Sequence, residues 1–358
     1  MPKHALVFVH GMGDFADGWH KDAWDVLTSA FAHYDAFKGR AVLSDLVEPV
    51  PTIYSTLLVN LREQWKSDAK SFKDTLVNQM DRADVSESAN VQKQVDTVAN
   101  YAGAGKDSFI WTHAMDVVLY RFESTIRQAT NVSLARQILD RATTMDFSGW
   151  SIVAHSMGTA VAHNTLQALY TTPLVDGKPP LKTVETRPKV LAMIANVSRV
   201  LQLPALKVFS SNVCPGSPLL DRACDTYLNV RHQWDPFTVP QPFLPDPSWP
   251  DPVTFNSSQY QHIRPSHLVL KQYKEVHDLD FYLKNPRVHV PIFRGIFGQD
   301  VIPDAELTAA CQQFDSAILE DNTNDVRNAL DQIQPSASDS WPQLIQVLFK
   351  LYGMGGVP

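Results

Sequence analysis

The sequence predicts an α/β protein with a mostly parallel, doubly wound sheet. Three observations lead there. Short apolar runs of strand length recur at residues 5–9 (ALVFV), 150–154 (WSIVA), 189–197 (KVLAMIANV) and 226–231 (TYLNVR). A run apolar at nearly every position, rather than every second one, is the pattern of a strand buried on both faces. Segments of helical spacing separate the runs, and strands that alternate with helices pair in parallel. Finally, 358 residues with 44% hydrophobic content bury roughly three quarters of their unfolded surface, so no disulfide or metal staple is needed.

In chain order, the strand at 5–9 is stopped by the turn His10-Gly11-Met12-Gly13-Asp14. Residues 19–34 read as a helix, with Trp24, Leu27 and Phe31 on one face. A second strand is expected within 46–54, interrupted by Pro49 and Pro51. Residues 57–130 are a long helical insertion. It exceeds the needs of one crossover helix, and part of it is expected to form a lid. An amphipathic helix follows at 133–145. The strand at 150–154 meets an alanine-rich helix at 159–170. The strand at 226–231 ends at Asp235-Pro236, a proline-rich loop spans 239–266, and a strand at 267–276 (HLVLKQYKEV) ends at His277. A helix at 287–297 completes a first domain, residues 1–298. Residues 299–358 read as a helical C-terminal extension with breaks near 322–324 and 335–340.

Composition excludes several classes. The net charge is −7 with no basic block, which argues against nucleic-acid binding. Three cysteines, Cys214, Cys224 and Cys311, form neither a CxxC pair nor a disulfide framework. The N-terminal residues MPKHALVFVHG lack a cleavage site and read as structure rather than a signal peptide. No window of 18 apolar residues is present, so no transmembrane helix is expected, and the expected compartment is the cytoplasm. Prolines number 24 against 15 glycines, and eight of them fall between Pro236 and Pro265. Proline fixes φ, so the loop from 239 to 266 can be long yet ordered, a wall over a site rather than a linker.

The chemistry starts at Ala154-His155-Ser156-Met157-Gly158, between a buried strand and a helix. This is a small-x-Ser-x-Gly nucleophile elbow, in which small residues at −2 and +2 let the two backbones approach. A serine hydroxyl is not nucleophilic at neutral pH, so an imidazole must take its proton and a carboxylate must orient that imidazole. The chain order in this architecture is Ser, acid, His. Asp235, which follows the TYLNV strand, is the expected acid; Asp221 and Asp225 precede that strand and fit less well. His277, directly after the strand at 267–276 and before the last helix of the domain, is the expected base. His262 is its main rival; His267 stands at the wrong end of its strand, His289 lies within a helix, and His232 immediately precedes the acid. A tetrahedral intermediate also needs two backbone donors. Met157, following the nucleophile, and Met12, in the loop after the first strand, are the expected pair.

These segments, VFVHGMGD near the N-terminus, SIVAHSMGTAVAH around Ser156, QWDPF around Asp235 and VHDLDFYLKNPRV after His277, resemble the α/β-hydrolase superfamily in its serine esterase and lipase branch. The resemblance spans roughly residues 5–297. It implies an eight-strand sheet lacking its first strands and an ester or related acyl substrate, a small molecule or a lipid; a lipase or phospholipase acting on long acyl chains, and a catalytically silent binding protein on the same fold, are the alternative expectations. It implies no cofactor.

Phe15, Trp19, Trp234 and Phe237 are candidates to line an apolar acyl pocket. No metal is expected, since the 12 histidines form no HExxH and no cluster with cysteines. No GxGxxG follows a strand, so no dinucleotide site is expected. The segment 341–352 (WPQLIQVLFKLY) is apolar enough to touch a membrane surface or a second copy of the chain. It lacks a basic face, so packing on the body is the favoured reading.

Overall fold

The computed structural model describes residues 2–39, 41–66, 116–117, 119–121, 124–143, 147–173, 180–199, 201, 213–216, 222–232, 235, 237–238, 242–245, 259–265 and 277–331. The first apolar run is strand β1 (His4–Val9), buried at every position. Helix α1 (Lys21–Phe31), strand β2 (Val47–Thr52), and helices α2 (Thr56–Lys66) and α3 (Ser124–Ile138) follow. A π-helical turn at Leu139–Thr143 ends α3. Strand β3 (Gly149–His155) leads into helix α4 (Met157–Thr171). Strands β4 (Val190–Ile194), β5 (Thr226–Val230) and β6 (Tyr260–Ile263) come next. Helices α5 (Leu279–Lys284), α6 (Pro286–Phe297) and α7 (Asp304–Asp331) follow, and single helical turns at Leu43–Leu46 and Thr183–Thr186 complete the described elements.

The strands form one sheet in the order β2-β1-β3-β4-β5-β6, and every neighbouring pair is parallel. Successive side chains of a strand point to opposite faces, and here both faces are covered. Ala5, Val7 and Val9 join a core with residues of α3 and α4. Leu6 and Phe8 join the other core, with residues of α1, α5 and α6. That double burial is why the strand sequences are apolar without alternation.

Strand β2 carries Pro49 and Pro51, opposite Leu6 and Phe8 of β1. The two prolines are two residues apart, so both ring nitrogens lie on the same side of the strand. Among the described strands β2 is at the edge, and with those nitrogens on its outer side the ladder to β1 loses no donor.

The chain leaves β1 for β2 on one side and returns to β3 on the other. The strand order therefore reverses between β1 and β3. In an open parallel sheet, ligands bind beyond the carboxyl ends of the strands at such a reversal.

Some expectations need correction. The strand beside β5 is Tyr260–Ile263, inside the segment read as a proline-rich loop. The strand expected at 267–276 lies outside the described residues, as do residues 67–115 of the insertion and the segment 341–352. Helix α7 runs unbroken through 322–324, where a break was expected. Its first turns are tied to the body: Arg287 grips Asp315 through both guanidinium nitrogens at 2.9 and 2.7 Å, and the Asp35 amide donates to Glu306 Oε1 at 2.7 Å. Among the described residues, no helix is long and apolar enough to cross a membrane, and no group of His, Cys, Asp or Glu could hold a metal.

Candidate active site

β3 ends at His155 and α4 begins at Met157, so Ser156 is the whole connection. It takes φ 53° and ψ −128°, a left-handed conformation that L-residues rarely adopt. Such strain costs on the order of 1–3 kcal/mol and persists only where the surroundings over-determine it. Here they do. The Ser156 amide donates to the Ile194 carbonyl at 3.0 Å. The Ser156 carbonyl accepts from the Thr159 amide at 2.9 Å and the Thr159 hydroxyl at 2.7 Å. The turn thrusts the side chain out beyond the end of the sheet.

The elbow presses against the loop that leaves β1. A Cβ on Gly158 would lie 2.2 Å from the His10 carbonyl oxygen and 2.8 Å from that of Val9. A Cβ on Gly11 would lie 3.0 Å from the Ser156 Cβ. Only glycine fits at 158, because the opposing atoms are backbone of the sheet's central region. Gly158→Ala is expected to destabilise the fold by about 3 kcal/mol, the upper end of overpacking costs. Thermal or urea unfolding measures it, and an unchanged midpoint would contradict so close an approach.

Ser156 and Asp235 are essentially fully buried, and His277 is 5% exposed. His277 stands just before α5 and meets both. Its Nδ1 lies 3.0 and 2.9 Å from the two Asp235 carboxylate oxygens, and its Nε2 lies 2.8 Å from Ser156 Oγ. A carboxylate only accepts, so the imidazole proton sits on Nδ1. Nε2 is left with its lone pair, and the serine hydroxyl donates to it. The Phe237 ring packs on the imidazole at 4.3 Å between centroids.

Asp235 is held from three sides. Besides His277, the Phe237 amide donates to its Oδ1 at 3.0 Å and the Tyr282 hydroxyl to its Oδ2 at 2.7 Å. Burial alone would raise its pKa. The charge and hydrogen bond of His277, with the Tyr282 and Phe237 donors, outweigh burial and hold it below the usual carboxylate value.

The loop after β1 is equally fixed. His10 is sandwiched between Phe15 and Tyr54, with ring centroids at 4.2 and 4.1 Å. Burial pulls its pKa down to about 4, so it is neutral. Its Nδ1–H donates to the Gly11 carbonyl at 2.9 Å, and the Tyr54 hydroxyl reaches the His10 and Gly11 carbonyls at 2.8 and 2.9 Å. The Gly13 amide donates to the buried Asp116 carboxylate at 2.8 Å. Among the described residues, no hydrogen bond engages the amides of Met12 or Met157.

The structure thus brings together Ser156, His277 and Asp235; Met157 follows Ser156 in the chain, and Met12 follows Gly11, where a Cβ would lie 3.0 Å from the Ser156 Cβ. Phe15 and Trp19 brace His10, and Trp19 also donates its indole N–H to the Thr52 carbonyl at 3.2 Å. Phe237 packs on the imidazole, and Trp234 lies outside the described residues. The other histidines have different places. His262 is in β6, paired with Asn229. His289 in α6 is bonded to the Tyr34 hydroxyl at 2.6 Å and the Leu283 carbonyl at 2.8 Å. The His232 amide donates to the Tyr282 hydroxyl at 2.9 Å. His267 lies outside the described residues.

Sequence reasoning missed Asp116, Tyr282 and His155. Asp116 is 103 residues from the amide it accepts, and no local pattern marks it. His155 lies 2.6 Å through its Nε2 from the His277 carbonyl. Its place beside the nucleophile was visible, but its partner was not. No protein-family model, curated protein or solved structure matches the chain.

Proposed function

We propose that the protein is a serine hydrolase of the α/β-hydrolase type that cleaves carboxylic esters. One observation carries the reading: a serine on a strained strand-to-helix turn, hydrogen-bonded to an imidazole whose other nitrogen faces a buried carboxylate. The reversal of strand order beside it supports the same reading.

The chemistry follows from the protons. His277 Nε2 takes the Ser156 proton as Oγ attacks the ester carbonyl carbon, and Asp235 stabilises the imidazolium. The carbonyl electron pair moves onto oxygen, where the Met12 and Met157 amides stabilise it. The intermediate collapses, the alcohol leaves with the proton from Nε2, and an acyl-Ser156 ester remains. Water then gives a proton to Nε2 and attacks that ester. Collapse releases the acid and returns the proton to Oγ. Each group needed belongs to the chain, and no cofactor enters.

A fluorophosphonate probe tests the reading, since an activated serine displaces its fluoride. The expected result is one adduct, on the peptide containing Ser156, with matching loss of p-nitrophenyl ester hydrolysis. Ser156→Ala is expected to abolish both and keep the fold. An unlabelled Ser156, or turnover surviving in Ser156→Ala, would sink the proposal.

A further inference from the structure

Tyr282 sits five residues after His277, on the helix that begins there, and is fully buried. Its hydroxyl has one proton and two neighbours. The His232 amide can only donate, so the phenol oxygen accepts from it at 2.9 Å. The phenol proton must then point at Asp235 Oδ2, 2.7 Å away. A backbone amide therefore locks this hydroxyl as a donor. Burial first, then the charge of Asp235, keeps the phenol protonated far above neutral pH.

Asp235 Oδ2 is shared. It faces the Tyr282 O–H at 2.7 Å and His277 Nδ1 at 2.9 Å. A donor dipole aimed at a carboxylate places positive potential beside it. That potential opposes a positive charge on the neighbouring imidazole. The same bond stops the carboxylate from rotating away from Nδ1.

We propose that Tyr282 is a positioning residue that shares the Asp235 carboxylate with His277 and so limits how readily His277 holds a proton. In the serine-hydrolase reading, on which the kinetic part rests, this keeps the base free to take the Ser156 proton at lower pH. The other titratable groups about His277 are few. His155, on the elbow, is pulled down to about 3 by burial and by the His277 charge, and stays neutral. On α5, Asp280 is tied to Lys284 at 2.9 Å, and Asp278 occupies the N-cap position without a side-chain capping bond. Arg231 and His232 lie behind Tyr282. Among the described residues, Tyr282 is the side chain other than His277 that donates to Asp235.

Two variants of the full chain test this. Tyr282→Phe removes the donor and keeps the ring. The acid limb of its kcat/KM profile is expected to move up by about half a pH unit, with the plateau falling less than tenfold. Site-specific 3-fluorotyrosine at 282 strengthens the donor at nearly equal size, and the limb is expected to move down. NMR titration of the His277 ring reads the same two shifts without turnover. Opposite shifts support the proposal; no shift, or shifts of one sign in both variants, overturns it. If Tyr282→Phe fails to fold, the fluorotyrosine protein decides alone, by whether its ring titration moves down. If the ring titration moves as expected but no ester is hydrolysed, the hydrolase reading falls and the role of Tyr282 stands.

Discussion

Asp235→Asn is expected to lower kcat for ester hydrolysis by about 10⁴-fold while the protein still folds. The reason is the direction of one proton. Asp235 offers acceptors on both oxygens, and His277 Nδ1 meets both, at 3.0 and 2.9 Å. Asparagine keeps one oxygen and replaces the other with an N–H₂ donor. The Phe237 amide and the Tyr282 hydroxyl each donate to a different Asp235 oxygen. Whichever way the new amide lies, one of those donors faces another donor. When the N–H₂ faces Nδ1, the imidazole moves its proton to Nε2, and Nε2 can no longer accept from Ser156 Oγ. A loss of 10⁴ is about 5.4 kcal/mol in the barrier. The unpaired buried donor costs a further 1–3 kcal/mol, roughly, in stability. Steady-state kinetics with a thermal melt separates the two effects. A fall in kcat of less than tenfold would mean that Asp235 does not orient His277.

What could be read from the sequence divides along physical lines. β1, β3, β4 and β5 announce themselves because burial on both faces makes each strand a continuous apolar run. The elbow is readable because its steric demand falls on one pentapeptide, and Gly158 answers it directly. Asp235 and His277 are readable through their positions, one beyond a buried strand and one before a helix. β6 gives no such sign. Its residues YQHI are partly exposed at the edge of the described sheet, so no apolar run is required there. β2 reads poorly for the same reason: an edge strand tolerates Pro49 and Pro51, which a central one would not. The unbroken α7 defeats local reasoning too, since the polar residues 322–324 only look like a break. Contacts such as Gly13 with Asp116 and His155 with the His277 backbone join distant segments. Nothing in a single sequence encodes that they meet.

Stability is expected to fall by about 7 kcal/mol between pH 7 and pH 5, because the core holds histidines that must stay neutral. His4, His10, His163 and His289 are each at most 3% exposed. Burial, with the Lys189 charge helping at His4, lowers their pKa values to about 3, 4, 3 and 4 respectively. The bonding agrees with neutral rings. At His4, Nε2 shares one hydrogen bond with the Ser151 hydroxyl at 2.8 Å and the buried Nδ1 meets no partner among the described residues, so no second donor site of a charged ring is satisfied. At His289, Nδ1–H donates to the Leu283 carbonyl, leaving Nε2 to accept from Tyr34. In the unfolded chain these rings titrate near 6.5. Above that pH neither state binds the protons, and the histidines do not oppose folding. As pH falls toward 4, the unfolded chain gains protons that the folded one cannot, and stability drops by about 1.4 kcal/mol per pH unit for each ring. Four rings together reach on the order of 7 kcal/mol between pH 7 and pH 5, against a total of roughly 5–15 kcal/mol for a typical domain. Urea midpoints at pH 7 and pH 5 measure the drop, and proton uptake on unfolding at pH 5.5 counts the groups. Equal midpoints at the two pH values, or uptake below one proton, would show that these rings accept charge within the fold. The candidate site shares this vulnerability, because His10 braces the loop that carries Met12. Acid that opens the stack of Phe15, His10 and Tyr54 is therefore expected to disorder the loop that carries Met12 before the sheet itself unfolds.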